Sequence, residues 1–114
     1  MTQDSTDIPE MTALELKERL DNGDAPVLVD VRELFEHRIA DLPEQGQIRI
    51  PVAQLAARAE ELERTRDVVL YCRSGARSAW AVRLLRSRGF DNVLNLKGGV
   101  LGWRADVDPS LRKY

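Results

Sequence analysis

The sequence predicts an α/β domain built on a mostly parallel sheet of about five short strands flanked by helices. Short apolar runs alternate with segments of helical periodicity, which is typical of parallel strands joined by crossover helices. Neither Pro26–Val31 nor Val68–Tyr71 has a polar face, so both strands are expected to be covered on both sides. The length of 114 residues is enough for one such domain.

The first helix is predicted by its ends. Thr12 and Glu15 match a capping box, in which each side chain bonds the backbone amide of the other residue. The helix should run to about Asn22 and stop at Gly23, before the strand Pro26–Val31. We expect residues 1–10 to be a flexible lead-in, residues 11–105 to form the folded domain and residues 106–114 to be a C-terminal tail.

The middle of the chain should add a very short strand and a second helix. Ile48–Ile50 is predicted to be the strand, and Pro51 is well placed to begin the helix because proline suits the first helical position. Apolar residues then recur at helical spacing: Val52, Leu55, Ala56, Ala59 and Leu62.

The second half repeats the strand–helix pattern twice. Val68–Tyr71 is the clearest strand, and a helix is expected from about Ser78 to Ser87. Asn92–Leu96 predicts a further strand, after which Gly98-Gly99 turns the chain into a short helix that contains Trp103. Both Trp103 and Trp80 are expected to pack against the sheet.

Composition excludes several classes of function. The 17 basic and 19 acidic side chains give a net charge of −2, without the basic footprint of a nucleic-acid-binding protein. No apolar run approaches the ~18 residues of a membrane span, and we do not expect the polar N-terminus to be a secretory signal. One cysteine excludes an intramolecular disulfide and a multi-cysteine zinc site, and one histidine argues against a histidine-rich metal site. We expect a cytoplasmic monomer without a metal or an organic cofactor.

The single cysteine has the position of a reactive thiol. Cys72 lies at the carboxyl end of a predicted buried strand and directly before a helix, where parallel sheets bind their ligands. Unpaired amides at a helix N-terminus attract anions and lower the pKa of a thiol. We therefore interpret Cys72 as a nucleophile rather than as a buried inert thiol. The segment that follows it would bind an anionic substrate, and its residues are Arg73, Ser74, Gly75, Ala76 and Arg77.

At these residues the sequence resembles a single-domain rhodanese, a sulfurtransferase. The resemblance rests on Val29–Glu33, on Tyr71–Ser78 and on Leu96–Gly99 followed by Trp103, and it runs from about Met11 to Trp103. The chain is similar in particular to the C-terminal rhodanese domain of enzymes that adenylate sulfur-carrier proteins. The segment 36–50 departs from the family pattern, because the usual Gly-His-Ile run and Gly-Ala pair are missing.

The resemblance implies a single three-layer α/β domain and a two-step sulfur transfer. The Cys72 thiolate would take the outer sulfur of an anionic donor such as thiosulfate or a persulfide, and the loop amides would cradle it. An acceptor would then remove the sulfur from the Cys72 persulfide. Cyanide would serve in vitro, and a sulfur-carrier protein is the candidate acceptor in the cell.

Two alternatives stay open at this point. A docking or sulfide-sensing module could keep the fold without catalysis. A phosphatase or arsenate reductase could share the architecture, but their loops have five residues between cysteine and arginine, and only four separate Cys72 from Arg77. Arg77 could either attract an anionic donor or form a salt bridge that orders the loop. Asp30 and Arg32 are expected to be a polar pair that stabilises the fold.

Overall fold

The computed structural model describes residues 8–44 and 46–114, so residues 1–7 of the expected lead-in lie outside the described residues. Five strands form one sheet. They are β1 (Glu10–Met11), β2 (Val27–Asp30), β3 (Ile48–Arg49), β4 (Val68–Tyr71) and β5 (Val93–Leu96). The α-helices are α1 (Ala13–Asp21), α2 (Leu55–Arg58), α3 (Ala76–Ser87) and α4 (Gly99–Asp106). Short 3₁₀ turns span Leu34–Arg38, Val52–Gln54 and Ala59–Glu61.

The sheet has the strand order β1-β5-β4-β2-β3, and every neighbouring pair is parallel. Strand β4 lies at the centre, with Val29 of β2 opposite Leu70 on one side and Val93 of β5 opposite Val68 on the other. The predicted fold class is therefore confirmed. The sequence did not predict β1, which begins at Glu10 and pairs with β5.

Alternate residues of β4 point to two separate cores. Val68 and Leu70 pack with residues of α2 and α3 on one face of the sheet. Val69 and Tyr71 pack on the other face with residues of α1 and α4, including Trp103. All four β4 side chains are fully buried, and each such burial stabilises the fold by roughly 1.5–3 kcal/mol. The central strand thereby fixes the position of the residue that follows it, Cys72.

The predicted α1 is confirmed in detail. The hydroxyl of Thr12 accepts the Glu15 amide N–H at 3.1 Å, and the Glu15 carboxylate accepts the Thr12 amide N–H at 2.8 Å. The helix ends at Asp21, with Asn22 as its C-cap. This local pattern needs no tertiary contact, which is why the sequence predicts it well.

Three expectations about helices need correction. The second helix is one short α-helical turn between two 3₁₀ turns rather than a continuous helix. The third begins at Ala76, two residues before the predicted Ser78, because Gly75 adopts a φ of +108° and caps it. Trp80 does not pack against the sheet: it is 52% exposed, since α3 turns Ala81, Val82 and Leu85 inwards instead.

The C-terminal segment folds back onto the domain. The amides of Val107 and Asp108 both donate to the Trp103 carbonyl oxygen, and Arg104 donates to the Leu111 carbonyl oxygen at 2.8 Å. Leu111 and Tyr114 pack on the core cluster that contains Trp103. This packing brings Tyr114 to the edge of the sheet where β4 ends.

Candidate active site

Cys72 lies at the bottom of a short loop between β4 and α3, which we call the Cys72 loop (residues 72–77). The residue is 1% exposed, and Sγ accepts hydrogen bonds from the amides of Gly75 at 3.1 Å and Ser78 at 3.5 Å. The positive φ of Gly75 directs its amide at the sulfur. Residues other than glycine rarely adopt such a φ angle. The loop thus presents backbone donors to one sulfur atom.

These donors lower the pKa of the Cys72 thiol. Burial raises the pKa, because it disfavours the thiolate, but hydrogen bonds from the hydroxyl and amide of Ser78 and the amides of Gly75 and Ser74 outweigh that cost. The positive end of α3 acts in the same direction. The arrangement favours a thiolate, which is the nucleophilic form of cysteine.

Ser78 is part of a buried polar chain that the sequence analysis did not single out. Its hydroxyl lies 3.4 Å from Sγ of Cys72 and 2.5 Å from Oδ1 of Asn95. Asn95 in turn donates to the Gly75 carbonyl oxygen at 3.4 Å and to the Glu10 carboxylate at 3.3 Å. A polar residue inside an otherwise apolar strand is the one signal that could have identified Asn95.

The start of α4 fixes the backbone of the Cys72 loop. The amides of Val100 and Leu101 donate to the carbonyl oxygens of Cys72 and Arg73, both at 3.0 Å. Gly99 makes this approach possible, because a Cβ there would lie 2.4 Å from the Cys72 carbonyl oxygen. The Gly98-Gly99 pair therefore allows the start of α4 to pack against the Cys72 loop, in addition to forming the turn between β5 and α4.

Arg77 forms the salt bridge that was one of its two expected roles. Its Nη1 lies 2.8 Å from Glu36 Oε2, and its Nη2 lies 3.2 Å from Oε1. Burial raises the pKa of Glu36, but hydrogen bonds from Arg77, the Glu33 amide and Tyr114 lower it to about 2. Glu36 is therefore an anion that neutralises Arg77. The sequence analysis did not anticipate it, because it lies in the segment that departs from the family pattern.

The predicted pair of Asp30 and Arg32 belongs to a larger ion-pair network. Arg32 is 1% exposed and contacts Asp30 through Nε at 2.9 Å and Nη2 at 3.0 Å. Arg49 bridges Asp30 and Asp41, each at 2.6 Å. The Tyr71 hydroxyl donates to Asp41 at 3.0 Å. These contacts tie the carboxyl ends of β2, β3 and β4 together beside the loop.

Tyr114 links this network to the Cys72 loop. Its hydroxyl donates to Glu36 Oε1 at 2.8 Å and accepts a hydrogen bond from Arg32 Nη1 at 2.8 Å. Arg73 donates through Nε to a main-chain oxygen of Tyr114, and its guanidinium carbon lies 5.2 Å from the centre of the tyrosine ring. The expected tail thus contributes a residue to the site.

Two concave surfaces border the loop. A groove of about 470 Å³ runs between the loop and the end of β5, lined by Ser74, Gly75 and Ala76 together with Arg83 and Lys97. On the other side, Arg77 and Trp80 line a cavity of about 310 Å³ with Val52 and Ala53. Of the predicted substrate-binding residues, Ser74, Gly75 and Ala76 thus line one surface and Arg77 lines the other, whereas Arg73 contacts Tyr114.

Within residues 8–44 and 46–114, no three His, Cys, Asp or Glu side chains come together in the way that metal ligands do. In the same ranges, no helix combines the length and the apolar character of a membrane-crossing segment.

Comparison with known proteins identifies the family. The profile described as "Rhodanese-like domain" matches residues 12–106. The chain belongs to the rhodanese-like family. A solved rhodanese-related protein from Thermoplasma volcanium has a TM-score of 0.78 at 31% identity, covering 89% of this chain and 95% of that protein. The resemblance stated from the motifs is therefore confirmed.

Relatives of this rhodanese-like chain are named for sulfur transfer. A protein named "Sulfurtransferase" from Allochromatium vinosum is 36% identical over 96 residues, which are 84% of this chain and 88% of that protein. "Adenylyltransferase and sulfurtransferase MOCS3" of Arabidopsis thaliana is 32% identical over 91% of this chain. At the level of the family, the comparisons support a rhodanese-type sulfurtransferase.

Several relatives are longer than the shared domain. The chain spans 25% of the length of the Arabidopsis protein. It spans 57% of Bacillus subtilis YrkF, whose name carries the words "sulfur carrier protein" and which is 31% identical over 107 residues. These relatives therefore share one domain with this chain.

Proposed function

We propose that the protein transfers sulfane sulfur from an anionic donor, thiosulfate or a persulfide, through a persulfide on Cys72 to a thiophilic acceptor. The observation that carries the proposal is that Sγ of Cys72 accepts hydrogen bonds from two backbone amides, those of Gly75 and Ser78, at the start of α3. The amides of Ala76 and Arg77 have no hydrogen-bond acceptor among residues 8–44 and 46–114. They are free to bind a second sulfur atom attached to Sγ.

The first step is a displacement at sulfur. The Cys72 thiolate attacks the outer sulfur of thiosulfate, an Sγ–S bond forms, and the S–S bond of the donor breaks with its electron pair leaving on sulfite. The loop then carries a persulfide anion with the same single negative charge as the thiolate. No proton moves, so the step needs no general base.

The second step regenerates the thiolate. A nucleophilic acceptor attacks the outer sulfur, and the Sγ–S bond breaks with its electron pair returning to Sγ. With cyanide the product is thiocyanate. With a thiolate acceptor the product is a new persulfide.

A protein acceptor, and in particular a sulfur carrier, fits the surface beside the loop. Trp80 is 52% exposed and lines an apolar cavity that Arg77 also borders. Leu34 and Phe35, directly before Glu36, are 53% and 60% exposed. Large exposed apolar side chains next to a reaction centre are typical of a protein-binding surface. The name of YrkF supports the same class of partner.

The occupation of Arg77 argues against phosphate transfer. Both terminal nitrogens of Arg77 already bind Glu36, at 2.8 and 3.2 Å. A phosphate dianion would have to displace a carboxylate whose pKa is about 2. The four residues between Cys72 and Arg77 also leave less backbone around the anion than a phosphatase loop provides.

The direct test is the mass of the protein after exposure to a donor. Reduced protein is incubated with thiosulfate, and its intact mass is recorded before and after addition of cyanide. We expect a gain of one sulfur atom that cyanide removes as thiocyanate. The Cys72→Ser variant should gain no sulfur.

Two further outcomes would redirect the proposal. Absence of any mass gain with thiosulfate or with a low-molecular-weight persulfide, from a thiol that an alkylating probe still modifies, would overturn it in favour of a docking module. Hydrolysis of an aryl phosphate that Cys72→Ser abolishes would instead indicate a phosphatase.

A further inference from the structure

We infer that Asn95 is a positioning residue that determines whether the Ser78 hydroxyl donates its proton to the Cys72 sulfur. The inference concerns the reactivity of Cys72 itself, and it rests on the proposed function only in what it says about sulfur transfer. It starts from the buried polar chain that joins Cys72, Ser78, Asn95 and Glu10.

The Ser78 hydroxyl has one proton and, among residues 8–44 and 46–114, three acceptors within reach. Oδ1 of Asn95 lies 2.5 Å from the hydroxyl oxygen, the Gly75 carbonyl oxygen lies 3.3 Å away and Sγ of Cys72 lies 3.4 Å away. The Gly75 carbonyl oxygen already accepts the Ala79 amide at 3.0 Å. Asn95 and Cys72 therefore compete for the proton, and a hydrogen bond to one of them is lost to the other.

The other contacts of Asn95 fix the orientation of its side-chain amide. Nδ2 faces two acceptors, the Glu10 carboxylate at 3.3 Å and the Gly75 carbonyl oxygen at 3.4 Å. A flipped amide would place Oδ1 against both oxygens, so Oδ1 faces Ser78. In the described part of the chain, no other group donates to Oδ1, and Asn95 is buried. Loss of the Ser78 proton would thus leave a buried acceptor unpaired, which is unfavourable.

Charged groups approach the Cys72 loop from the elements packed against it. Beyond the ion-pair network that includes Tyr114, the cations are Arg73, Arg77, Arg83 and Lys97, and the anions are Glu10 and Glu36. Glu10 contacts Asn95 directly, but it is exposed, so solvent screens its charge. The test therefore has to separate the contact through Ser78 from the charge of Glu10.

In the proposed cycle the Ser78 hydroxyl turns between its two acceptors. While Cys72 is a thiolate, the negative charge on Sγ attracts the hydroxyl proton away from Asn95. Once the outer sulfur is bound, the charge of the persulfide lies on that sulfur, and the hydroxyl returns to Oδ1. The O–H bond only rotates, so no proton is transferred, and the bonds that form and break are those of the two sulfur-transfer steps.

The first test removes the competing acceptor. Asn95→Leu has a side chain of similar size without Oδ1, so the Ser78 proton should remain on Sγ. The thiolate fraction of Cys72 at a given pH below its pKa should rise about two- to tenfold, the strength of one neutral hydrogen bond. The rate of alkylation by iodoacetamide, plotted against pH, should therefore shift to lower pH. Asn95→Ala should shift it in the same direction. Asn92→Ala is the control, because Asn92 binds the carbonyl oxygens of Glu63 and Arg66 and should leave the profile unchanged.

A double variant assigns the effect to the hydroxyl. In a Ser78→Ala background, Asn95→Leu should leave the alkylation profile where Ser78→Ala puts it, because the effect of Asn95 passes through Ser78. An effect of the Glu10 charge would persist in this background. Sulfur loading from thiosulfate gives a second readout. At high pH, where Cys72 is fully ionised, Asn95→Leu should lower its rate by up to about threefold, because a more stabilised thiolate is a weaker nucleophile.

NMR spectroscopy of wild-type protein tests the inference without a substitution at Asn95, and it decides if both Asn95 variants fail to fold. The side-chain carbonyl carbon of Asn95 should titrate with the midpoint of Cys72 alkylation, and most of this change should be absent in Ser78→Ala. If no donor forms a persulfide, the proposed function fails, whereas the alkylation profile and this titration still decide the role of Asn95. An unshifted profile in folded Asn95→Leu, a full shift without the Ser78 hydroxyl, or an Asn95 resonance that does not follow Cys72 would overturn the inference.

Discussion

Replacement of Ser78 by alanine should raise the pKa of the Cys72 thiol, because it removes a hydrogen bond that favours the thiolate. The Ser78 hydroxyl is the one side chain that hydrogen-bonds Sγ within the described residues, at 3.4 Å. A hydrogen bond to a charged group contributes about 1.5–3 kcal/mol. The contribution of the Ser78 hydrogen bond should lie at the lower end of this range, because Oδ1 of Asn95, at 2.5 Å, competes for the hydroxyl proton. A contribution of about 1.5 kcal/mol corresponds to a roughly tenfold lower thiolate fraction at a given pH below the pKa.

The assay is the rate of Cys72 alkylation by iodoacetamide as a function of pH, followed by intact mass. The rate follows the thiolate fraction, so the Ser78→Ala curve should shift to higher pH. Ser87→Ala is the matched control, since its hydroxyl binds the Leu84 carbonyl oxygen at the exposed end of the same helix. Thermal unfolding is measured for the same variants, because Asn95 loses a buried hydrogen-bond partner in Ser78→Ala. This loss should lower the free energy of unfolding by about 1–3 kcal/mol, and the measurement distinguishes it from the change in the reactivity of Cys72.

An unchanged alkylation profile in folded Ser78→Ala protein would refute this reasoning. It would mean that the backbone amides of Gly75 and Ser78, with the dipole of α3, set the pKa without the hydroxyl. The same amides remain in the variant, so the comparison isolates the side chain. A profile displaced to lower pH would contradict the sign of the effect.

Three other predictions follow from the site. In thermal unfolding, Gly99→Ala should destabilise the fold by more than about 3 kcal/mol or abolish folding, because its Cβ would lie 2.4 Å from a carbonyl oxygen of the loop. The control is Gly23→Ala, which should destabilise the fold by only about 1–2 kcal/mol, because Gly23 has a φ of +74° but open space around it. Glu36 has a pKa lowered from 4.5 to about 2, so it stabilises the fold above its unfolded pKa, and this contribution should be lost as pH falls from 4.5 towards 2. In urea unfolding at a series of pH values, the free energy of unfolding of Glu36→Gln should fall by about 1–3 kcal/mol less than that of wild type over this pH range. The expected difference is reduced because Arg77, the partner of Glu36, is partly exposed. Trp80→Ala should slow transfer to a sulfur-carrier protein at least several-fold while transfer to cyanide and the melting temperature stay unchanged, because this side chain is 52% exposed.

The sequence predicted those parts of the molecule that depend on local patterns. The capping box of α1, the strand Val68–Tyr71 and the position of Cys72 at a strand end all follow from neighbouring residues. The structure agrees with each of them. The early start of α3 was missed because its cap depends on the backbone angle of Gly75, which no side-chain pattern encodes.

The parts that the sequence did not predict depend on contacts between distant residues. Glu36 reaches Arg77 across 41 positions, and Tyr114 reaches Glu36 across 78. Nothing in the local sequence of either residue indicates its partner. The polar sequence around Glu36 is equally compatible with a solvent-exposed loop, and the tail has no periodic pattern. Only the folded arrangement of the 3₁₀ turn Leu34–Arg38, α3 and the tail brings them together.

Charge balance connects these long-range contacts to the proposed chemistry. Asp30, Glu36 and Asp41 cancel the charges of three arginines beside the Cys72 loop, which are Arg32, Arg49 and Arg77. Conversion of the Cys72 thiolate into a persulfide anion leaves the net charge of the loop unchanged, because one negative charge replaces another. In the proposed cycle the enzyme therefore moves sulfur without moving a proton.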